Sequence, residues 1–199
     1  MTIPGRPTVP DAPVIVKVGG GLLTVPGALD RAASALTTAS SHRPLVVVPG
    51  GGPFADTVRR FDAEHGLAPE SAHWMAILGQ DQYAYVLAER IPGASLVHGP
   101  DGIAAALAAR RIAVLAPYRW MRDADVLPHS WDATGDSVAA FVAGALDANL
   151  LVLLKPAAGP VGELTDRCFS DTLPAGISVM VLGASDVERL PELVRRAPG

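Results

Sequence analysis

The chain has 199 residues, 49% of them apolar, which is enough for a sizeable core in one domain or two lobes. Lys and Arg (16) against Asp and Glu (20) give a net charge of −4 without any block of like charge, which argues against nucleic acid or an anionic membrane as the main partner. The single cysteine, Cys168, excludes an intramolecular disulfide and a multi-cysteine zinc site, and no apolar run approaches the roughly 18–20 residues that span a bilayer.

Residues 1–13 are polar and proline-rich, lack the apolar stretch of a signal peptide, and read as a mobile tail. A cytoplasmic location is the expectation. From residue 14 onward, short apolar runs alternate with helical patterns, consistent with one domain over 14–199. Strands are predicted at 14–18, 45–48, 95–97, 112–116, 150–154 and 178–182. Leu29, Ala32, Ala33 and Leu36 recur at the helical period, as do Phe54, Val58 and Phe61, and Val138, Phe141, Val142 and Ala145. Ser185 reads as the N-cap of a last helix that Pro191 would bend. The stretch 157–174 has no strong period and reads as an extended loop or small lid beside Lys155. This alternation predicts an α/β fold with a mostly parallel sheet covered on both faces.

Two strands end in glycine. Val14-Ile15-Val16-Lys17-Val18 leads into Gly19, Gly20 and Gly21, and Leu45-Val46-Val47-Val48-Pro49 leads into Gly50, Gly51 and Gly52. Bare backbone amides at the carboxyl edge of a sheet, followed by a helix N-terminus, suit phosphate. Lys17, two residues before its glycines, is placed to bridge phosphate oxygens and neutralise charge as it moves. The plain alternative is a solvated lysine at a strand end beside an ordinary turn. Three successive glycines at 50–52 cost backbone entropy, and close approach of a ligand to the backbone is one reason to keep them. Phe54 and Asp56 then open a helix whose positive end faces that turn.

The only two lysines are Lys17 and Lys155, and both stand at the carboxyl ends of apolar strands. They could converge on one site. Between them in sequence, Trp131-Asp132-Ala133-Thr134-Gly135-Asp136-Ser137 precedes a helix. Thr134, Asp136 or Ser137 would each cap it; beside two phosphate-type turns, Asp136 would instead position the lysines or a hydrated metal ion. Trp74, Ile77 and Leu78 read as core or subunit-packing residues, with Asp81 and His73 candidates for a pocket. No histidine pair has metal-ligand spacing, and no residue is assigned as a direct metal ligand.

The order K-x-G-G, then G-G-G, then T-x-D-x-x-A-A (Thr134, Asp136, Ala139, Ala140) resembles the amino acid kinase superfamily over about residues 14–154. The H-W-M-A-I-L, D-Q-Y and W-D-x-T-x-D-S stretches are most similar to a subgroup acting in methanofuran-type one-carbon cofactor biosynthesis, whose acceptor is itself an aminomethyl-furanmethyl phosphate. The resemblance implies a three-layer α/β/α sandwich, ATP with Mg²⁺, a small phosphorylated substrate and a homo-oligomer. It also implies that Lys17 contacts the transferring phosphoryl group and Asp136 organises the catalytic lysines. Lys155 would stand at the nucleotide side, formed by about 150–199, with Gly19, Gly20 and Gly159 on the nucleotide. Gly50, Gly51, Gly52, Asp132 and Thr134 would hold the acceptor. The chain departs from the family after Lys155, where Pro156-Ala157-Ala158-Gly159 replaces a D-V-D-G or K-V-D-G segment, and it lacks a G-G-M-x-x-K lysine. Two further readings therefore stand beside the first: the same fold with a carboxylate acceptor, and a non-catalytic relative that binds a small anion.

Overall fold

The computed structural model describes residues 12–197; the expected tail, apart from Ala12 and Pro13, lies outside them. Six strands form one sheet in the order β3-β4-β2-β1-β5-β6, every neighbouring pair parallel. They are β1 Val14–Val18, β2 Leu45–Pro49, β3 Ala94–Val97, β4 Ile112–Leu115, β5 Leu150–Lys155 and β6 Ser178–Gly183, each end within one residue of the predicted range. A strand covered on both faces has no solvent side for alternation, so VIVKV, LVVVP and LLVLLK are continuous apolar runs broken only by the two lysines.

The helices are α1 Ala28–Ala39, α2 Gly52–His65, α3 Pro69–Arg90, α4 Pro100–Ala108 and α5 Tyr118–Ala124. They continue with α6 Gly135–Ala145, α7 Val161–Leu164, α8 Phe169–Thr172 and α9 Leu190–Arg196. Val14, Val16 and Val18 bury one face of β1 against α1 and α9. Ile15, Leu151 and Leu153 bury the other among residues of α4, α5, α6 and α8. This is the expected three-layer sandwich. Helix α3 serves both cores: Trp74 and Ile77 of its N-terminal half join one, Tyr83 and Leu87 the other. A helix buried on changing sides shows no single apolar stripe, which is why His73 to Tyr83 reads as a mixed pattern.

Alternation along the strands places Lys17 on the face of Ile15, and Lys155 on that of Leu151 and Leu153. Lys17 pairs in register with Leu153, so Lys155 lies two residues further along the neighbouring strand, on the same face. The chain leaves β1 toward β2 and leaves β5 toward β6, in opposite directions across the sheet. The crevice between β1 and β5 is thus the topological switch point, where open α/β sheets hold ligands. Among the described residues, no helix is long and apolar enough to cross a membrane.

Two local expectations are corrected. Ser185 does not cap the last helix; its hydroxyl donates to Asp186, a short 3₁₀ turn follows at Val187–Arg189, and Pro191 sits in the first turn of α9, where its missing N–H costs nothing. The stretch 157–174 is not one extended loop but carries α7 and α8.

The two glycine turns also have a reason that precedes any ligand: they pack against each other. A Cβ on Gly20 would overlap the Cα of Gly52, and Gly52 itself has φ +55°, a backbone that L side chains rarely adopt. Gly20→Ala should therefore lower stability by about 1–3 kcal/mol, the cost of overpacking a tight contact. Equilibrium urea unfolding checks this, and an unchanged midpoint would mean that the turns have slack to part.

Candidate active site

At the switch point the two lysines meet one carboxylate. Lys17 Nζ lies 2.9 Å from Asp136 Oδ1, and Lys155 Nζ donates to Oδ1 at 2.8 Å and Oδ2 at 2.7 Å. Asp136 comes from the first turn of α6 and is 4% exposed; Lys17 is 6% exposed. Burial alone would push the Asp136 carboxyl toward its neutral form, but the two ammonium groups outweigh it and hold the group below the usual carboxylate range. Lys155 is moved down by burial and by Lys17 beside it, against the pull of Asp136. The cluster carries a net single positive charge, fixed where a phosphate would arrive.

A second carboxylate, not foreseen in the sequence, fixes the helix that delivers Asp136. Asp166, between α7 and α8, accepts hydrogen bonds from Thr134 N (2.9 Å), Thr134 Oγ1 (2.8 Å) and Ser137 N (3.0 Å), and from the Ser137 hydroxyl. Thr134, at the N-cap position of α6, makes no side-chain cap of its own. A carboxylate from about thirty residues downstream supplies it. Asp136 sits between the two residues that Asp166 holds.

A cavity of about 110 Å³ opens beside Lys17. Gly20, Gly50, Gly51, Gly52 and Gly135 line it on the sheet side, and α3 closes it with His73, Ile77 and Gln80. At its mouth, Arg59 pairs with Asp56 (3.0 Å) and lies 4.6 Å over the Trp131 ring, whose Nε1 donates to Asp62 at 2.7 Å. The amides of Gly51 and Gly52 open α2, where N–H groups have no intrahelical partner and the helix dipole is positive. An apolar cavity of about 230 Å³ adjoins it, sharing His73, Ser130 and Trp131 as walls.

The expected site residues do not all converge. Lys17, Asp136 and Lys155 do, and Gly20, Gly50, Gly51, Gly52 and Thr134 line the cavity with Lys17. The amides of Gly19 and Gly50 are not offered to a ligand, because they donate to Leu154 O (2.9 Å) and Val18 O (2.8 Å) and continue the sheet ladder. Asp132 does not line the Lys17 cavity; it pairs with the exposed Arg167 at 3.3 Å. Gly159 packs against Leu164 in the segment after β5, away from that cavity. Asp81 caps α5, accepting from Tyr118 N at 2.9 Å, whereas His73 does reach the cavity. Arg59 and Gln80 were not foreseen; each lies on a helix whose register against the glycine turns only the fold reveals.

Asp136→Asn should cost about 3–5 kcal/mol at pH 7, because the buried Lys17 and the partly buried Lys155 lose their counter-charge. In that variant the folded state binds fewer protons than the unfolded one, so stability should climb from pH 7 to pH 9. In the wild type the lowered Asp136 carboxyl contributes stability that is present above about pH 4 and lost as pH falls through its folded value. Urea unfolding at several pH values measures both, and a variant with wild-type stability at pH 7 would contradict the assignment.

Residues 12–159 match the amino acid kinase family. The chain is 26% identical over 184 residues to the [5-(aminomethyl)furan-3-yl]methyl phosphate kinase of Methanocaldococcus jannaschii, covering 92% of this chain and 80% of that one. Among solved structures it superposes on the uridylate kinase of Archaeoglobus fulgidus with a TM-score of 0.69 at 16% identity, over 92% of this chain and 96% of that one. It superposes on the UMP kinase of Ureaplasma parvum with a TM-score of 0.64 at 11% identity, over 94% and 96%. These likenesses establish the fold, and the family match spans the glycine turns, Asp136 and Lys155 together. The chain belongs to the amino acid kinase family.

Proposed function

We propose that this protein is an ATP-dependent phosphotransferase acting on a small phosphate monoester, in the biosynthesis of a methanofuran-type one-carbon cofactor. The observation that carries the reading is the Lys17–Asp136–Lys155 cluster beside a cavity lined by glycine backbone. The similarity to a furanmethyl phosphate kinase supports the acceptor class.

A phosphate monoester is largely dianionic at neutral pH, since its second pKa is about 6. Its oxygen is already a nucleophile and needs no general base. An acceptor oxygen attacks the γ-phosphorus of ATP, the bond from that phosphorus to the β–γ bridging oxygen breaks, and ADP leaves with the electron pair. The protein's task is then to hold two anions in line and to stabilise spreading charge. Lys17, facing the cavity, takes the transferring group, and Lys155 lies toward the nucleotide side. The Gly51 and Gly52 amides, at the N-terminus of α2, take the acceptor phosphate.

Among the described residues no acidic cluster is suited to a divalent ion. Both Asp136 oxygens are already held by lysines. The described side chains therefore offer no ready-made cage of three or more ligands, and an accompanying Mg²⁺ would be held chiefly by the nucleotide's own phosphates.

Replacing either lysine should slow transfer without dismantling the sheet, because Asp136 keeps one partner. Lys17→Ala and Lys155→Ala are each expected to lower kcat by about 10²–10³-fold, the usual loss for one preorganised charge donor. A coupled ADP-release assay with a panel of phosphate-monoester and carboxylate acceptors measures this. Turnover that is unchanged in Lys17→Ala would overturn the assignment, and turnover with carboxylates alone would move it to the second acceptor class.

A further inference from the structure

The first turn of α6 carries the carboxylate on which both lysines depend, yet it has little of its own to hold it in place. Gly135 opens the turn, and a Cβ there would come within 3.2 Å of Gly50 Cα and 3.4 Å of Lys17 Cε, so the position keeps the most flexible residue. Thr134 makes no side-chain cap of its own. Helix starts of this kind fray, because their first N–H groups have no intrahelical partner. A carboxylate that must serve two ammonium groups at 2.7–2.9 Å tolerates a displacement of only about 0.5 Å.

Asp166 supplies what the turn lacks. Its Oδ2 accepts from Thr134 N (2.9 Å), Thr134 Oγ1 (2.8 Å) and Ser137 N (3.0 Å), and its Oδ1 accepts from the Ser137 hydroxyl. These donors stand on both sides of Asp136 in the chain. Two further contacts lie beside them: Cys168 N donates to Asp132 O at 3.1 Å, and Arg167 pairs with the Asp132 side chain at 3.3 Å. Residues 166–168 are thus tied to 132–137. The segment they belong to begins after Lys155, the last residue of β5. It reaches Asp136 twice, through the Lys155 ammonium at one end and through the backbone of α6 at the other.

We propose that Asp166 is a positioning residue for phosphoryl transfer: by fixing the backbone on both sides of Asp136, it sets how that carboxylate meets the two lysines. It acts through Asp136 rather than on either substrate. A cap that merely kept α6 folded would change stability and leave the lysines of the folded protein as they are. A positioning residue alters the lysines while the fold stays. The effect on rate rests on the phosphotransfer reading above; the effect on the lysines does not.

The test compares Asp166→Ala, Asp166→Asn and Ser137→Ala with the wild type as full-length proteins. Lysine labelled with ¹³C at Cε gives two nuclear magnetic resonance signals, because Lys17 and Lys155 are the only lysines. Both should shift in Asp166→Ala, in samples shown to be folded by their urea-unfolding transitions. Asp166→Asn keeps an acceptor oxygen for the amides, and its NH₂ can donate to the Ser137 hydroxyl, so its signals should stay near those of the wild type. With ATP and a phosphate monoester, Asp166→Ala should lower kcat by about 10–100-fold with both KM values within about threefold, and Asp166→Asn should recover most of that loss. Ser137→Ala removes one donor and should shift the signals the same way by less, which keeps the test decisive should Asp166→Ala not fold. Lysine signals unmoved in the folded variants, full kcat in a folded Asp166→Ala, or an Asp166→Asn that matches Asp166→Ala would overturn the assignment. Shifted signals in a protein whose wild type transfers no phosphate would remove the phosphotransfer reading and leave Asp166 as the residue that sets the lysine cluster.

Discussion

The structure depends on one carboxylate shared by two lysines, Lys17 buried and Lys155 partly so. Removing any of these charges from water is expensive, and no single pair of them would repay that cost reliably. Three together do better, because Asp136 offers two oxygens: Lys155 reaches both, and Lys17 shares Oδ1 with it. The result is a site with a fixed excess of positive charge in a region where the sheet excludes solvent. The lowered Asp136 carboxyl and the lowered Lys155 ammonium are two expressions of that balance: the anion is strongly favoured, and the second cation is held less comfortably than in water. A bound phosphate would relieve the discomfort.

The fold exists around this arrangement. Parallel strands bring every carboxyl end to one edge, and the reversal of chain direction between β1 and β5 leaves a crevice there. Alternation along each strand then decides that both lysines point to the face covered by α6. The glycine turns let the two loops above the crevice touch backbone to backbone, which draws the N-terminus of α2 over Lys17. Asp166 ties the segment after β5 to the start of α6, so the stretch between α7 and α8 and the turn that carries Asp136 share one hydrogen-bonded anchor.

Much of this was legible in the sequence because its causes are local. Buried parallel strands must be apolar throughout, so their ends appeared within a residue of where they lie. Lys17 and Lys155 were conspicuous as the only lysines and as the only breaks in those runs. The family order of motifs then linked them to Asp136. What sequence could not show was pairing at a distance. Asp166 looks like any aspartate in an aperiodic stretch, and its role depends on the packing of α7 and α8 beside α6. Gly19 and Gly50 resembled phosphate-binding glycines, yet the sheet ladder claims their amides. Asp132 sits in the right motif but turns toward Arg167. Gln80 and Arg59 lie on helices whose rotation about their own axes no local pattern sets.

The central claim is that this geometry joins two phosphates. The most direct measurement is ³¹P nuclear magnetic resonance of a reaction containing the protein, ATP and a phosphate monoester. The account predicts loss of the monoester singlet and growth of a coupled pair of doublets from a new P–O–P linkage, in step with ADP. ADP accompanied only by inorganic phosphate, or ATP left intact while the monoester is saturating, would contradict it.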